Sequence, residues 1–151
     1  MLMNLLIGLP TMAVCLLLES ILVLIALRYY VLKDRKIDVP SFRITLGTIC
    51  VVMLILVLGN IAQVGIWAVL FLFLKEFPTF SEAFYHSAVN FATLGYGDIV
   101  MSEKHKLLGP LEAINGVLMI GVSTAALMTA FQDALRKVVK SRRELREEAG
   151  D

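Results

Sequence analysis

Thr93, Leu94, Gly95, Tyr96, Gly97 and Asp98 form a hexapeptide whose chemistry lies in its main chain. Two glycines separated by one tyrosine admit backbone angles that other residues resist, so helical hydrogen bonding is not expected to continue through them. Non-helical backbone at membrane depth is tolerated only where protein shields it or where it lines a wet path. Carbonyls left free in this way can take the place of the water lost by a partially dehydrated cation. Few other residues offer chemistry. Glu19 and Glu112 are charges set within long apolar stretches, where an ionisable group is a functional hypothesis by default, because leaving it in lipid is expensive. His86 and His105 stand nineteen positions apart, and Cys15 and Cys50 each fall in an apolar run. A disulfide framework or a Cys/His metal site is therefore not expected. Nor does the chain hold a phosphate-binding glycine loop or a basic nucleic-acid stripe.

The elements that must position the hexapeptide are apolar. The chain is 151 residues long and 58% hydrophobic, more than a soluble core requires. Met1 to Leu27 carries only Glu19, Ile44 to Leu74 carries no charge, and Leu107 to Gln132 carries only Glu112. At about 20 apolar residues per crossing, these are three spans. The first lacks the basic start and small-residue cleavage site of a secretion signal. Pro10 either starts that helix or kinks it. Net charge is +1, so only the placement of charge is informative. Arg28, Lys33, Arg35, Lys36 and Arg43 flank the first connection, and Arg136, Lys137, Lys140, Arg142, Arg143 and Arg146 follow the third span. Basic residues near span ends mark the cytoplasmic side, which places the amino terminus and the segment from Lys75 to Lys106 outside.

That outer segment opens with Thr79, able to cap a helix, and Glu82, three residues on, able to reach back to the cap amide. A short helix over about 80–92 is expected, running directly into the hexapeptide. In this setting the sequence resembles the potassium channel pore family, whose filter signature T-V/I/L-G-Y/F-G-D/N is matched by Thr93 to Asp98. The order of span, short capped helix, signature and glycine-bearing span is also the family's, and the likeness covers roughly Leu46 to Phe131.

The resemblance implies an all-α membrane protein. Its three transmembrane helices carry a re-entrant pore helix and selectivity filter between the second and third, and it assembles as a homotetrameric pore. The expected divisions are an extra N-terminal helix (1–32), a cytoplasmic loop (33–43), a pore domain (44–135) and a charged cytoplasmic tail (136–151). Within the pore domain are an outer helix (44–74), a pore helix (80–92), the filter (93–98) and an inner helix (107–135). The carbonyls of Thr93, Leu94, Gly95 and Tyr96, with the Thr93 hydroxyl, would hold permeant K+. Gly95 and Gly97 would turn the oxygens inward, and four copies of Asp98 would concentrate cations at the mouth. The carboxyl end of the pore helix, partially negative, would favour a cation below the filter. Tyr85 and His86 stand where many members carry an aromatic pair bracing the filter, so His86 is expected to reach the Tyr96 hydroxyl of a neighbouring subunit; the plainer reading is a packed polar side chain. Val89 stands where some members place an acid that bonds to the signature aspartate, so Asp98 must find another partner, or water.

The third span resembles the family's inner helix. Gly116 matches its hinge position, with close helix packing as the rival explanation; packing is preferred for Gly121. With Gly116 at or near the axis, helical spacing brings Ile120, Thr124 and Met128 to the same side, where Met128 forms a gate that closes by dewetting. Glu112 is expected to face the short helix behind the filter, tuning its field, sensing protons or making a fixed hydrogen bond. For Glu19, Asn60 and Gln63 on the second span are candidate partners. No regular arginine ladder is present, so strong voltage gating is not expected. The tail reads as a helical extension.

The implied protein is a passive, potassium-selective channel of the plasma membrane. It is not an enzyme, has no organic cofactor, and has its own copies and membrane lipids as partners. A nonselective or sodium-conducting channel, a transporter subunit and a nonconducting scaffold are the rivals.

Overall fold

The computed structural model describes residues 1–34 and 42–148. Four helices follow in order: α1 (Leu2–Asp34), α2 (Phe42–Phe73), α3 (Phe80–Phe91) and α4 (Leu108–Glu148). Among the described residues there is no strand. α1, α2 and α4 are each long and apolar enough to cross a membrane, over Leu2–Lys33, Ile44–Phe73 and Leu108–Val139. The all-helical, three-span architecture expected from the sequence is the one observed. α4 continues without a break past residue 135 to Glu148, so inner helix and tail are one element, and Pro110 sits in its first turn, where a missing N–H costs nothing. Most of the connection expected over 33–43 lies outside the described residues, as do Arg35 and Lys36.

Helices apolar all round are suited to lipid, and their outer faces remain uncovered by the chain itself: Leu6, Leu17 and Leu24 on α1 are each about two-thirds exposed. Hydroxyls bond back within their own helices, Thr11 to Ile7, Ser20 to Leu16, Thr48 to Ile44 and Thr129 to Ala125, which spares these donors an unpaired place in hydrocarbon. Pro10 lies inside α1 and not in its first turn, and removes the donor that the Leu6 carbonyl would otherwise receive.

α1 and α3 each pack against both α2 and α4. At one end, Ala126, Ala130 and Ala134 on α4 form a small-residue stripe against Ala26 and Tyr30 of α1 and Ile49, Val52 and Leu56 of α2; small side chains let the backbones approach. At the other end Cys15, Trp67, Ala68, Phe71, Phe77, Ala83 and Leu108 join all four helices. Between these apolar layers lies a polar one. Glu19 accepts from Gln63 Nε2 (2.8 Å) and Ser123 Oγ (2.5 Å), and Asn60 donates to Ser123 Oγ at 3.1 Å. Glu19 is thus tied to both α2 and α4 and is 1% exposed. Gln63 is its direct partner; Asn60 acts through Ser123.

The amino terminus lies at the same end as the segment between α2 and α4, because Asn4 Nδ2 donates to the Lys104 carbonyl at 3.0 Å. At the opposite end Tyr30 donates to Asp133 (3.0 Å), and Lys137 pairs with Asp133 and sits over the Tyr30 ring. Three crossings require this arrangement.

Candidate functional site

Thr79 caps α3 as its sequence requires, in extended conformation (φ −129°, ψ 153°), its hydroxyl accepting from the Glu82 amide at 3.3 Å. The far end of α3 sets up the site. Ala92 is the C-cap, the Thr93 amide donates to the Asn90 carbonyl (2.8 Å), and the Leu94 amide donates to the Val89 carbonyl (2.9 Å). This pair of bonds is the Schellman arrangement, which needs a left-handed residue at the position after the cap, usually glycine. Here that residue is Thr93, at φ +57°. A β-branched residue at positive φ is a genuine outlier, and such strain concentrates at functional sites.

The outlier is the first of three. Gly95 (φ +59°) and Gly97 (φ +72°) are also left-handed, while Leu94 and Tyr96 between them are not. Residues of positive and negative φ thus alternate along this segment, which a β-strand does not do. Thr93 to Asp98 are all exposed, Leu94 at 53% and Tyr96 at 64%. A Cβ on either glycine would meet nothing within 4 Å. One chain therefore presents a row of polar backbone on an open face, with a packed and polar interior behind it.

The far end of the hexapeptide is held from α3. Tyr85 donates to Asp98 Oδ2 at 2.7 Å, and Asp98 Oδ1 accepts from the Ile99 amide at 3.0 Å. The partner that Asp98 lacks at Val89 is thus Tyr85. The Tyr85 hydroxyl holds the Asp98 carboxyl below its usual range, and its own pKa rises in return. His86, expected to reach the Tyr96 hydroxyl of a neighbouring subunit, bonds within its own chain. Its Nδ1 meets the Ile99 carbonyl at 2.9 Å and its Nε2 meets Asn90 Nδ2 at 2.8 Å, so both ring nitrogens are taken within the chain. Nδ1 donates and Nε2 accepts, the neutral ring. Burial lowers its pKa accordingly, and Phe77 and Phe71 pack on it with centroids at 4.8 and 5.7 Å. His86 is a packed polar residue that ties down the segment after the hexapeptide. Val89 is buried, and its carbonyl serves the cap.

Further out, Glu76 accepts from the Ser102 amide and hydroxyl, both at 2.7 Å, and pairs with His105. Burial pushes the Glu76 pKa up, but the bonds from Ser102 and His105 outweigh it and hold the group below the usual range. Nothing in the sequence marks this cluster, because Ser102 and His105 lie 26 and 29 positions from Glu76.

Glu112 faces α3 as expected. It is fully buried, and Ser87 Oγ bridges it to the Val64 carbonyl, 2.8 Å away. Ser87, Asn90 and Asn115 belong to this site without having been expected there; the polar pair Ser87 and Asn90, three positions apart on α3 beside His86, was the available signal.

Gly116 and Gly121 of α4 differ in their surroundings. Gly116 is buried and turned toward α3: a Cβ there would stand 2.0 Å from the Phe91 carbonyl oxygen. It is a close-packing glycine facing away from the open side. Gly121 is exposed, and a Cβ there would meet nothing within 4 Å. The face of α4 nearest the hexapeptide instead begins at Ile114, Val117 and Leu118, which with Thr93 and Ala113 line a concavity of about 350 Å³. Steps of three and four continue that face through Ile120 and Gly121 to Thr124 and Met128. Ile120 and Met128 are exposed, and Thr124 donates to the Ile120 carbonyl at 2.8 Å. The three lining residues keep a common face, but Gly116 does not share it.

A protein-family model described as "Ion channel" matches residues 61–133, from the middle of α2 through the hexapeptide to Asp133. The match supports an ion channel. It takes in α3, the left-handed strand and the α4 face beneath it, and leaves α1 outside. No curated protein and no solved structure matches the chain.

Proposed function

We propose that the chain is a subunit of a potassium-selective channel that conducts K+ passively through a homotetrameric filter of backbone carbonyls. The observation carrying this reading is the alternation of left-handed residues at Thr93, Gly95 and Gly97 on an exposed strand. One strand supplies one wall of a coordination cage; four around an axis would replace the hydration shell of an alkali cation. The carbonyls of Thr93, Leu94, Gly95 and Tyr96 and the Thr93 hydroxyl are the ligands in this reading, with Asp98 at the mouth. Fourfold assembly would also cover the open face of the strand and part of the exposed α4 face. The axial lining is Val117, Ile120, Gly121, Thr124 and Met128, with Met128 as gate. The basic residues beside the Tyr30–Asp133 end make that end cytoplasmic, so the filter and the amino terminus face outward across the plasma membrane.

Flux of K+, Rb+ and Na+ through the purified protein in liposomes tests the reading. K+ and Rb+ should pass and Na+ should be excluded, and Gly95→Ala should abolish flux. Equal Na+ flux would make this a nonselective cation channel, and no flux in either wild type or Gly95→Ala would favour a scaffold.

A further inference from the structure

Ser87 poses a proton-counting problem. Its hydroxyl carries one hydrogen, yet Oγ is in hydrogen-bond contact with two acceptors, the Val64 carbonyl at 2.8 Å and Glu112 Oε1. If Glu112 were a carboxylate, one hydrogen would be divided between them. The second carboxyl oxygen, Oε2, is buried and has no hydrogen-bond partner, so a carboxylate would also bury a bare anionic oxygen. With only neutral groups beside it, a buried charge is costly enough that the group takes up a proton instead. The surroundings offer no compensating cation. From α1, Cys15 faces Glu112, and it sits against Asn115 of α4 and Trp67 of α2. From α3 come Ser87 and Asn90, with neutral His86 beyond Asn90. α2 offers the Val64 carbonyl. None of these is Lys or Arg.

We propose that Glu112 is a proton-binding site: as a neutral carboxylic acid it donates through Oε1 to Ser87 Oγ, freeing the Ser87 hydrogen for the Val64 carbonyl. The bound proton completes a directed chain from α4 through α3 to α2 immediately behind the hexapeptide. Its loss gives Ser87 two competing acceptors and places a negative charge where α2, α3 and α4 meet, loosening the seat of the strand. That the site borders a conducting filter rests on the function proposed above; the protonation does not.

Difference infrared spectroscopy of the full-length protein in lipid bilayers reads the site without reference to flux. At neutral pH the wild-type spectrum minus that of Glu112→Gln should contain a protonated-carboxyl C=O band, lost when the sample is made strongly alkaline. Gln keeps a donor for Ser87, so this variant should retain the packing. In Ser87→Ala the same band should move to higher frequency as the acid loses its acceptor. A difference spectrum with carboxylate bands and no protonated-carboxyl band would overturn the proposal, as would a band unmoved in Ser87→Ala. In flux measurements wild-type conduction should fall over the pH range in which the band disappears, while Glu112→Gln stays level. A normal band with no flux at any pH would refute the channel reading and leave the proton site standing.

Discussion

Gly116→Ala sets two opposed effects against each other. Alanine is favoured over glycine in a helix interior by about 1 kcal/mol, so a hinge that worked by flexibility alone would stiffen and the fold would gain stability. The structure gives the opposite sign. The new Cβ would stand 2.0 Å from the Phe91 carbonyl oxygen, 2.8 Å from its carbon and 2.9 Å from its Cα, when real Cβ atoms keep at least 3.0 Å. α4 or the end of α3 must therefore yield by about an ångström. All three contacts are backbone, so no rotamer change relieves them, and the residues just beyond are fixed by the cap bonds of Thr93 and Leu94. Overpacking of this kind costs about 1–3 kcal/mol, and a backbone obstacle argues for the upper end. The net expectation is a loss of about 2 kcal/mol per chain after the helix-propensity gain. SDS or thermal unfolding of the protein in micelles measures it, with Gly121→Ala as control. The control has open space at its Cβ and should be neutral or gain up to about 1 kcal/mol. Because the clash is with main chain, Phe91→Ala should not rescue Gly116→Ala. Stability of Gly116→Ala equal to or above wild type would refute the close-approach argument and restore a hinge.

Glu19→Ala should destabilise by about 1–3 kcal/mol, since Gln63 and Ser123 lose a buried acceptor. An unfolding double-mutant cycle with Ser123→Ala should give a coupling near or above the ~0.6 kcal/mol typical of hydrogen bonds within membranes, and a coupling of zero would remove the clamp. Tyr85→Phe should raise the Asp98 pKa toward the ordinary value of about 3.9, read by carbon-detected NMR titration. Because Asp98 is depressed in the fold, its contribution is complete above that ordinary value and is lost as pH falls through the lower folded one; in Tyr85→Phe the contribution should be smaller and its loss complete at a higher pH. His105→Ala should likewise raise the Glu76 pKa by deleting one of the bonds that hold it down, with faster amide exchange at Ser102. An unmoved Glu76 titration would assign the whole depression to Ser102.

Much of the fold was legible because its causes are local or compositional. Span length, the Thr79 cap and the two glycines of the hexapeptide depend on a residue and its near neighbours, and the structure has the cap and both left-handed glycines in place. The left-handed state of Thr93 was not legible, because a β-branched residue takes it only when an arriving helix end and a departing strand impose it. Gly116 was read in the wrong direction for a related reason. Periodicity shows which residues share a face, but the face that meets a neighbour depends on where α3 lies, and α3 packs into the groove that glycine leaves.

The sequence by itself determined that this chain crosses a membrane three times and carries irregular, glycine-permitted backbone between its second and third spans. Those outcomes follow from hydrophobic length and from the absence of a Cβ, which no neighbour alters. Only the tertiary structure decided the partners: Glu19 with Gln63 and Ser123, Asp98 with Tyr85, His86 with Ile99, and Glu112 with Ser87. An unpaired buried polar group is costly in a medium without water, and which donor or acceptor it meets depends on the depth and rotation at which separate helices come to rest.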